Sequence, residues 1–430
     1  MLDAQSGAAM NVSRRLGEPA EILQLRLANQ HLARQRSTEP RAVVAHLGAV
    51  QSQDYPAALW ALGLRVAKST QASLECAFNS GAILRTHVLR PTWHFVTPQD
   101  IRWMLALTAP RIKRAMASRE RELGLNDELV ARTNTVIARA LEGGKQLTRP
   151  ELRAALHAAG IAVADGSVLS HLVSRAELDG VVCSGAMRGK QHTHALLEER
   201  VPWAPLLERD EAVAELACRY FTSHGPATLN DFAWWSGLTV ADGRHGLEAH
   251  ASRFVSEKAS GLTYWFASSA SPTTALGPAT LLLPNFDEFT VAYRSRELFY
   301  PGELRRRADP RDVGPFGNVI VIGGQVVGIW KRSVVNERLR IEPHWFNPHH
   351  AATRQRLRKP PSATPTFAAA TALGPPSAGP EQSEPTLARL ERLQSRDHGA
   401  VRPRQLSVVV VSAAAHPTPR GFPQDAAARA

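Results

Sequence analysis

The sequence predicts an α+β fold with three tandem winged helix-turn-helix units, a small C-terminal β-rich domain and a disordered tail. Two observations favour it. Helix-like segments followed by a pair of strand-like segments recur three times before residue 273, and three helices followed by a two-stranded hairpin are typical of a winged helix. From about residue 279 strand-like segments replace the helices, and from about residue 357 Pro, Ala, Ser and Arg dominate.

The first unit is expected over residues 20–100, after a flexible lead of residues 1–19. Helical periodicity begins near Glu21 and recurs over about 40–50, 57–65 and 70–79. The segment ILRTHVLRPTWHFV (83–96) is rich in β-formers and is divided by Arg90-Pro91, which predicts a hairpin. Next, Thr97-Pro98-Gln99-Asp100 combines a cap residue, a proline and an acid, which predicts a helix start there.

The second and third units are expected over residues 101–205 and 206–272. In the second, Thr148-Arg149-Pro150-Glu151 and Ala164-Asp165-Gly166 each open a helix, and VVCSG with GKQHTHALL (189–197) supplies two strands. The third has helices over about 209–223, 228–236 and 240–251, then strands over 253–257 and 262–267.

The remaining chain divides into a β-rich part, residues 273–356, and a tail, residues 357–430. ATLLLPNFDEFTVAY (279–293) is interpreted as strand, and NVIVIGGQVVGIWKR (318–332) as a hairpin that turns at Gly323-Gly324. The tail holds 11 of the 29 prolines, which predicts disorder, although a shifted reading frame would give a similar composition.

Composition narrows the class of protein. A chain of 430 residues that is 44% hydrophobic can form two to four domains, and its net charge of +12 favours a polyanionic partner. Its three cysteines are far apart, which favours buried free thiols over a disulfide framework. The sequence has no secretory signal pattern and no run of 18 apolar residues, so a cytoplasmic protein is expected. We expect neither a cofactor nor a metal ion, since the sequence has no HExxH motif or cysteine pair.

The most informative stretch is Gln51-Ser52-Gln53. Residues two apart point away from each other on a helix but lie on one side of an extended backbone, and Pro56 favours a break in the helix here. Two amides side by side can position a water molecule; the alternative is that they are exposed residues at a helix end. Asp54 is interpreted as a helix cap, with a second catalytic acceptor as the alternative.

Other candidate residues lie on the predicted hairpins. Functionally they would contact phosphates, whereas the alternative is a solvated wing. In the first hairpin these are Arg85, His87, Arg90, Thr92 and His94, and in the second Arg188 and Lys190. His192-Thr193-His194 has no third metal ligand in view. Asp287-Glu288 has no assigned role. One interpretation is that this acidic pair stabilises the β-rich domain by an ion pair with Arg294 or Arg296.

Four segments together resemble the AlkZ/YcaQ-like winged-helix DNA glycosylases. They are LGAVQSQDYPAALWALGLR, LRPTWHFVTPQD, GKQHTHALLEERVP and LLPNFDEFTVAYRSR, and the resemblance runs in order from about residue 20 to about 335. It implies three winged-helix units with a barrel-like C-terminal domain around duplex DNA. The family's catalytic motif is Gln-x-Gln in one branch and Gln-x-Asp in another, which makes Gln51 and Gln53 the catalytic pair. Ser52 departs from the usual aliphatic residue between them, and the chain after about 335 departs from the family's usual ending.

The resemblance implies a monofunctional glycosylase that excises N7-alkylated purines and, in some members, unhooks interstrand crosslinks. Its partner would be damaged duplex DNA in the nucleoid, and a monomer suffices. The alternative is a winged-helix transcription regulator without catalytic activity, because most winged helices regulate. The two differ in binding, since a regulator discriminates strongly between sequences and a glycosylase binds duplexes with little sequence preference.

Overall fold

Helices and strands alternate in groups along the chain, so the prediction of an α+β fold is confirmed. The computed structural model describes residues 18–35, 37–204, 206–270, 280–303, 317–335 and 338–347. The predicted lead, apart from its last two residues, and the predicted tail lie outside these ranges. None of the helices in the described ranges is both long enough and apolar enough to cross a membrane.

The α-helices follow one another in three groups and end with a single short turn. In chain order they are α1 (Pro19–Asn29), α2 (Pro40–Leu47), α3 (Tyr55–Arg65), α4 (Gln71–Asn79), α5 (Ile101–Glu122), α6 (Asp127–Leu141), α7 (Arg149–Ala158), α8 (Gly166–Leu178), α9 (Leu197–Arg200), α10 (Arg209–Ser223), α11 (Leu229–Ser236), α12 (Val240–Ala249) and α13 (Glu288–Val291).

The strands form four separate antiparallel sheets. They are β1 (Val50–Gln51), β2 (Leu84–His87), β3 (Trp93–Val96), β4 (Leu147–Thr148), β5 (Val182–Ser184), β6 (Thr193–Leu196), β7 (Phe254–Ala259), β8 (Leu262–Ala267), β9 (Thr280–Leu283), β10 (Val319–Ile322), β11 (Gln325–Val335) and β12 (Arg338–Trp345). The sheet orders are β1-β3-β2, β4-β6-β5, β7-β8 and β12-β11-β10-β9.

Local capping explains why most helices begin where the sequence predicts. Thr148 and Glu151 form a capping box at α7, and the Asp165 carboxylate accepts the N–H of Val168 at the start of α8. The helix predicted from Thr97 begins later, at Ile101, because the Thr97 hydroxyl bonds the Asp100 carboxylate in a turn that precedes the helix. The sequence analysis did not place α6 or the two-residue strands β1 and β4.

The first hairpin, β2 and β3, is covered by the rest of the protein. Its connecting residues Val88, Leu89, Arg90 and Thr92 are buried, and Gly237 at the end of α11 lies against it. A Cβ atom on Gly237 would come within 2.3 Å of the Leu89 carbonyl oxygen, and its φ of +71° also favours glycine. The alternative interpretation, a solvated wing, is therefore wrong for this hairpin.

The C-terminal strands form a sheet that is open in the described residues, since β9 and β12 are its two edges. A Gly323-Gly324 turn joins β10 to β11 as predicted. The expectation that 279–293 is all strand is wrong beyond Leu283, because Asp287 caps the short helix α13. The Trp60 indole donates to the Leu282 carbonyl (2.9 Å), which anchors β9 to α3 and brings α13 next to the Gln51 segment.

Candidate active site

Gln51-Ser52-Gln53 lies in the extended connection between α2 and α3. Gly48, with a φ of +83°, ends α2, and β1 then pairs with β3. The Asp54 carboxylate accepts the N–H of Ala57 (3.0 Å) at the start of α3, where Pro56 stands in the first turn. The predicted break in the helix and the capping role of Asp54 are both confirmed.

The main chain of the motif is held from three sides. The Gln51 N–H donates to Glu288 Oε1 (2.7 Å), and the Ser52 N–H donates to the Trp93 carbonyl (2.8 Å). Arg85 Nε donates to the Ser52 carbonyl (3.0 Å), while its Nη2 reaches the Gln53 carbonyl (3.4 Å). Since these contacts come from β2, β3 and α13, the conformation of the motif depends on the tertiary structure.

The two glutamines are two residues apart in the extended connection and differ in burial. Gln51 is 3% exposed and Gln53 is half-buried. The Gln53 N–H points at Gln51 Oε1 (3.4 Å), so the Gln51 amide lies over the backbone of Gln53. Gln51 is therefore the more buried of the two residues.

A row of polar side chains crosses the sheet beside Gln51. The register pairs Gln51 with His94 and His94 with Thr86, and cross-strand partners share a face. His94 is fully buried, and burial, reinforced by Arg90, lowers its pKa to about 3. Its Nδ1 must donate to the Thr92 carbonyl (2.9 Å), since a carbonyl only accepts, so Nε2 carries the lone pair. In the described structure neither His94 Nε2 nor Thr86 Oγ1 has a hydrogen-bond partner.

Glu288, which the sequence analysis left without a role, closes this site. Its carboxylate is fully buried; Oε1 accepts from Gln51, Oε2 accepts from Trp235 Nε1 (3.0 Å), and His224 Nε2 lies 3.5 Å away. Burial by itself would raise the pKa of this carboxyl, but His224 and the Gln51 N–H outweigh it and hold the pKa at about 2. The acidic pair in the run LPNFDEF was the only signal that sequence could offer.

The neighbouring carboxylate, Asp287, forms an ion pair with a buried arginine. Arg65 donates to both of its oxygens (2.8 Å each), and both side chains are almost fully buried. The suggested partners Arg294 and Arg296 are therefore wrong for Asp287. The main-chain N–H of Arg294 instead donates to Asp231 (2.9 Å).

Arg85 and His87 lie on the opposite face of the hairpin sheet. Arg85 is 9% exposed and stacks on Trp93 (4.4 Å to the ring centroid), and burial lowers its pKa to about 10. His87 Nδ1 lies 2.5 Å from Glu177, a buried carboxylate of α8. Arg85 and His87, both predicted to bind DNA, therefore have partners inside the protein.

Arg90 and Thr92 lie in the buried connection between β2 and β3. The Arg90 guanidinium is 6.0 Å from the Trp234 ring, and burial lowers its pKa. Within the described residues Arg90 Nε and Nη2 and Thr92 Oγ1 lack hydrogen-bond partners. Each is a buried polar atom whose hydrogen-bonding capacity is unused among the described residues.

The second hairpin presents its predicted residues differently. Arg188 and Lys190 are exposed in the connection between β5 and β6, where Arg188 pairs with Glu151 (2.6 Å). His192 packs edge-on against Tyr55 (5.1 Å), and His194 lies 3.7 Å from Glu177. No group of three or more His, Cys, Asp or Glu side chains that could hold a metal ion occurs in the part of the chain that the structure describes.

The extended Gln51-Ser52-Gln53 segment therefore lies beside a buried carboxylate in a basic α+β protein. The sequence model of a family described as "DNA glycosylase AlkZ-like" matches residues 44–367, and the chain belongs to this family. A curated relative from Streptomyces sahachiroi, an interstrand DNA cross-link repair glycosylase, is 27% identical over 343 residues, which cover 75% of this chain and 90% of that protein.

A solved structure has the same fold. The Streptomyces sahachiroi DNA glycosylase AlkZ superposes with a TM-score of 0.63 at 23% identity, over 77% of this chain and 91% of the other. Family membership makes this chain a DNA glycosylase, so that prediction is confirmed, and it does not support the transcription regulator.

Proposed function

We propose that this glycosylase hydrolyses the N-glycosidic bond of N7-alkylated purines in duplex DNA, including purines joined in interstrand crosslinks. The observation that carries the proposal is the Gln51-Ser52-Gln53 motif, held in an extended conformation at a buried polar site. The crosslink-repair name of the curated relative, which covers three quarters of this chain, supports the crosslink as a substrate.

The chemistry suits neutral groups. When C1′–N9 breaks, its electron pair moves to the purine and cancels the positive charge that N7 alkylation placed there. The sugar becomes an oxocarbenium ion, the oxygen of a water molecule bonds to C1′, and the surplus proton passes to solvent. Because the leaving group is already activated, the protein needs to orient the water and stabilise the cation, and it needs no strong general acid.

Gln51 and Gln53 are proposed to position this water. Amide oxygens accept hydrogen bonds from it while amide nitrogens donate, and the buried Gln51 and half-buried Gln53 lie two residues apart on one extended segment. An unalkylated purine is a poor leaving group, so the same site would leave undamaged DNA intact.

The remaining residues are proposed to hold the DNA. Arg188 and Lys190, exposed on the second hairpin, would contact phosphates, in keeping with the chain's net charge of +12. Arg85, His87, Arg90, Thr92 and His94 are buried, and they would act on DNA chiefly through the shape and polarity of the site.

The architecture supports a finer proposal. Each of the hairpins β2–β3, β5–β6 and β7–β8 follows a group of helices, as expected for three winged-helix units at 20–100, 101–205 and 206–272. The strands within 273–356 would form the C-terminal domain, with closure into a barrel depending on segments outside the described residues. We place the enzyme with the nucleoid as a monomer, because its substrate is chromosomal DNA and the motif lies within one chain.

The test is excision of 7-methylguanine from a duplex, followed by hot alkali to break the strand at abasic sites. Gln51→Ala and Gln53→Ala are expected to slow single-turnover excision by ~10²-fold or more with DNA affinity nearly unchanged, because water orientation acts on the chemical step. Gln71→Ala, at a buried glutamine of α4 that bonds Glu75, is the matched control and should keep the wild-type rate.

A parallel substrate with a crosslink through two N7 atoms extends the test to unhooking. Wild-type excision of neither lesion would refute the proposed function. Unchanged rates in both glutamine variants would refute the roles of these residues alone.

A further inference from the structure

We propose that Glu288 is a positioning residue of the glycosylase reaction, which fixes the main chain of Gln51 and supplies the negative charge that faces the developing sugar cation. This inference rests on the proposed function and adds to it a residue outside the glutamine motif.

The first argument is contact. Glu288 Oε1 bonds the backbone N–H of Gln51 itself (2.7 Å), and the two residues are 237 positions apart in sequence. Oε2 bonds Trp235 Nε1 (3.0 Å), so one carboxylate joins β1, α11 and α13. The Gln51 amide therefore extends from a backbone whose position Glu288 sets.

The second argument is charge. Asp287 and Glu288 are adjacent and equally inaccessible, yet only Asp287 has an arginine on both of its oxygens. No lysine or arginine lies within ion-pair distance of Glu288 in the described ranges. His224 Nε2 lies 3.5 Å away, and the buried Arg90 interacts electrostatically with the carboxylate without forming an ion pair. A buried carboxylate that no lysine or arginine contacts directly is unfavourable for folding unless a compensating role retains it.

The third argument is that surrounding contacts fix the position of the Glu288 carboxylate. Asp287 caps α13 by accepting the N–H of Phe289 (2.9 Å), and Phe286 before it has a φ of +61°, a strained value for a residue with a side chain. The Arg65 ion pair holds this turn against α3. Glu288 therefore points at the motif from a turn whose geometry several independent contacts determine.

A fixed negative charge near C1′ favours an oxocarbenium ion over the ground state, in which the positive charge resides on the purine. One unit charge several ångströms away from the cation, inside the protein, corresponds to roughly 10- to 100-fold in rate. The carboxylate does not accept the water proton in this scheme, since its contacts with His224 and the Gln51 N–H hold its pKa at about 2 and make it a weak base.

The experiment compares Glu288→Gln, Glu288→Asp and a control, Asp231→Asn, which alters a buried carboxylate that contacts no residue of the motif. Single-turnover excision of 7-methylguanine is expected to fall ~10- to 100-fold in Glu288→Gln with DNA affinity retained, and to recover in part in Glu288→Asp, which restores the charge. Asp231→Asn should keep the rate at temperatures where it is folded.

A binding measurement separates charge from structure. Wild-type protein is expected to bind a duplex with a protonated pyrrolidine abasic analogue at least ~10-fold more tightly than one with the neutral tetrahydrofuran analogue, and Glu288→Gln should lose this preference. No preference in the wild type, or an unchanged preference and rate in Glu288→Gln, would overturn the inference, and the wild-type result stands even if the variant does not fold. Failure of wild-type excision would refute the proposed function instead.

Discussion

Replacing Arg85 with methionine should show whether this residue mainly binds DNA or mainly holds the main chain of the Gln51-Ser52-Gln53 motif. The sequence left two interpretations of Arg85 open, phosphate contact and a solvated wing. In the structure Arg85 is 9% exposed, its Nε donates to the Ser52 carbonyl (3.0 Å), and its guanidinium stacks on Trp93 (4.4 Å). Methionine keeps the apolar part of the side chain but removes both interactions. The experiment therefore tests a role that only the contacts of Arg85 reveal.

The expected loss of stability follows from these contacts. A hydrogen bond from a charged donor contributes about 1.5–3 kcal/mol. A partly desolvated cation–π contact adds about 1 kcal/mol, and the 3.4 Å contact to the Gln53 carbonyl adds little. We expect Arg85→Met to lower the free energy of unfolding by about 2–4 kcal/mol, measured by urea denaturation at pH 7. Burial lowers the pKa of Arg85 only to about 10, so the side chain is still charged at that pH.

Three further measurements complete this test. Excision of 7-methylguanine by Arg85→Met should slow at temperatures where the variant is folded, because the Ser52 carbonyl no longer has a fixed position. Arg85→Lys is the charge control, and its DNA affinity should stay close to wild type. In Arg85→Met, the slope of log affinity against log salt should change by less than about 1. A change of about 1 is what the loss of one phosphate contact would give. Wild-type stability in Arg85→Met, together with a slope smaller by about 1, would show that phosphate contact is the main role.

Three other perturbations have defined outcomes. Burial lowers the pKa of His94 to about 3 in the folded protein. As pH falls below about 6.5, the unfolded chain therefore binds a proton that the folded protein does not. The contribution of His94 to the free energy of unfolding is complete above that pH and should decline by about 2 kcal/mol by pH 5. Urea denaturation at pH 7 and 5 should show this decline in the wild type and a smaller one in His94→Gln; equal declines would contradict the assignment. Asp287→Asn should lower the free energy of unfolding by about 3 kcal/mol, because it leaves the buried Arg65 guanidinium without its counter-ion; a change below about 1 kcal/mol would mean that this pair is not strongly stabilising. Replacing Arg188 and Lys190 together with alanine should weaken binding to undamaged duplexes and reduce the salt slope by about 2 with little change in stability, and an unchanged slope would remove this hairpin from the DNA interface.

Local patterns predicted much of the secondary structure. Thr148 with Glu151, and Asp165, mark helix starts because a capping side chain and its N–H partner are three residues apart. Gly323-Gly324 marks a hairpin by an equally local signal, because the turn depends on the backbone freedom of these two adjacent residues. The family resemblance rested on short motifs of this kind, and the family is confirmed.

The candidate site was only partly predictable. Pro56 and the spacing of Gln51 and Gln53 indicated an extended motif, because helix breaking and side-chain direction are local properties. The burial of the first hairpin was not predictable, since it depends on contact between Leu89 and Gly237, which lie in different groups of helices.

The sequence by itself determined the class of fold, most helix starts and the extended conformation of the glutamine motif, because each of these is encoded within a few neighbouring residues. Only the tertiary structure decided which carboxylate serves the motif. Asp287 and Glu288 are chemically alike and adjacent, yet one lies against Arg65 and the other against the Gln51 N–H. Those partners are more than 200 positions away along the chain, and hydrogen bonds that close such distances form only when the whole core has packed.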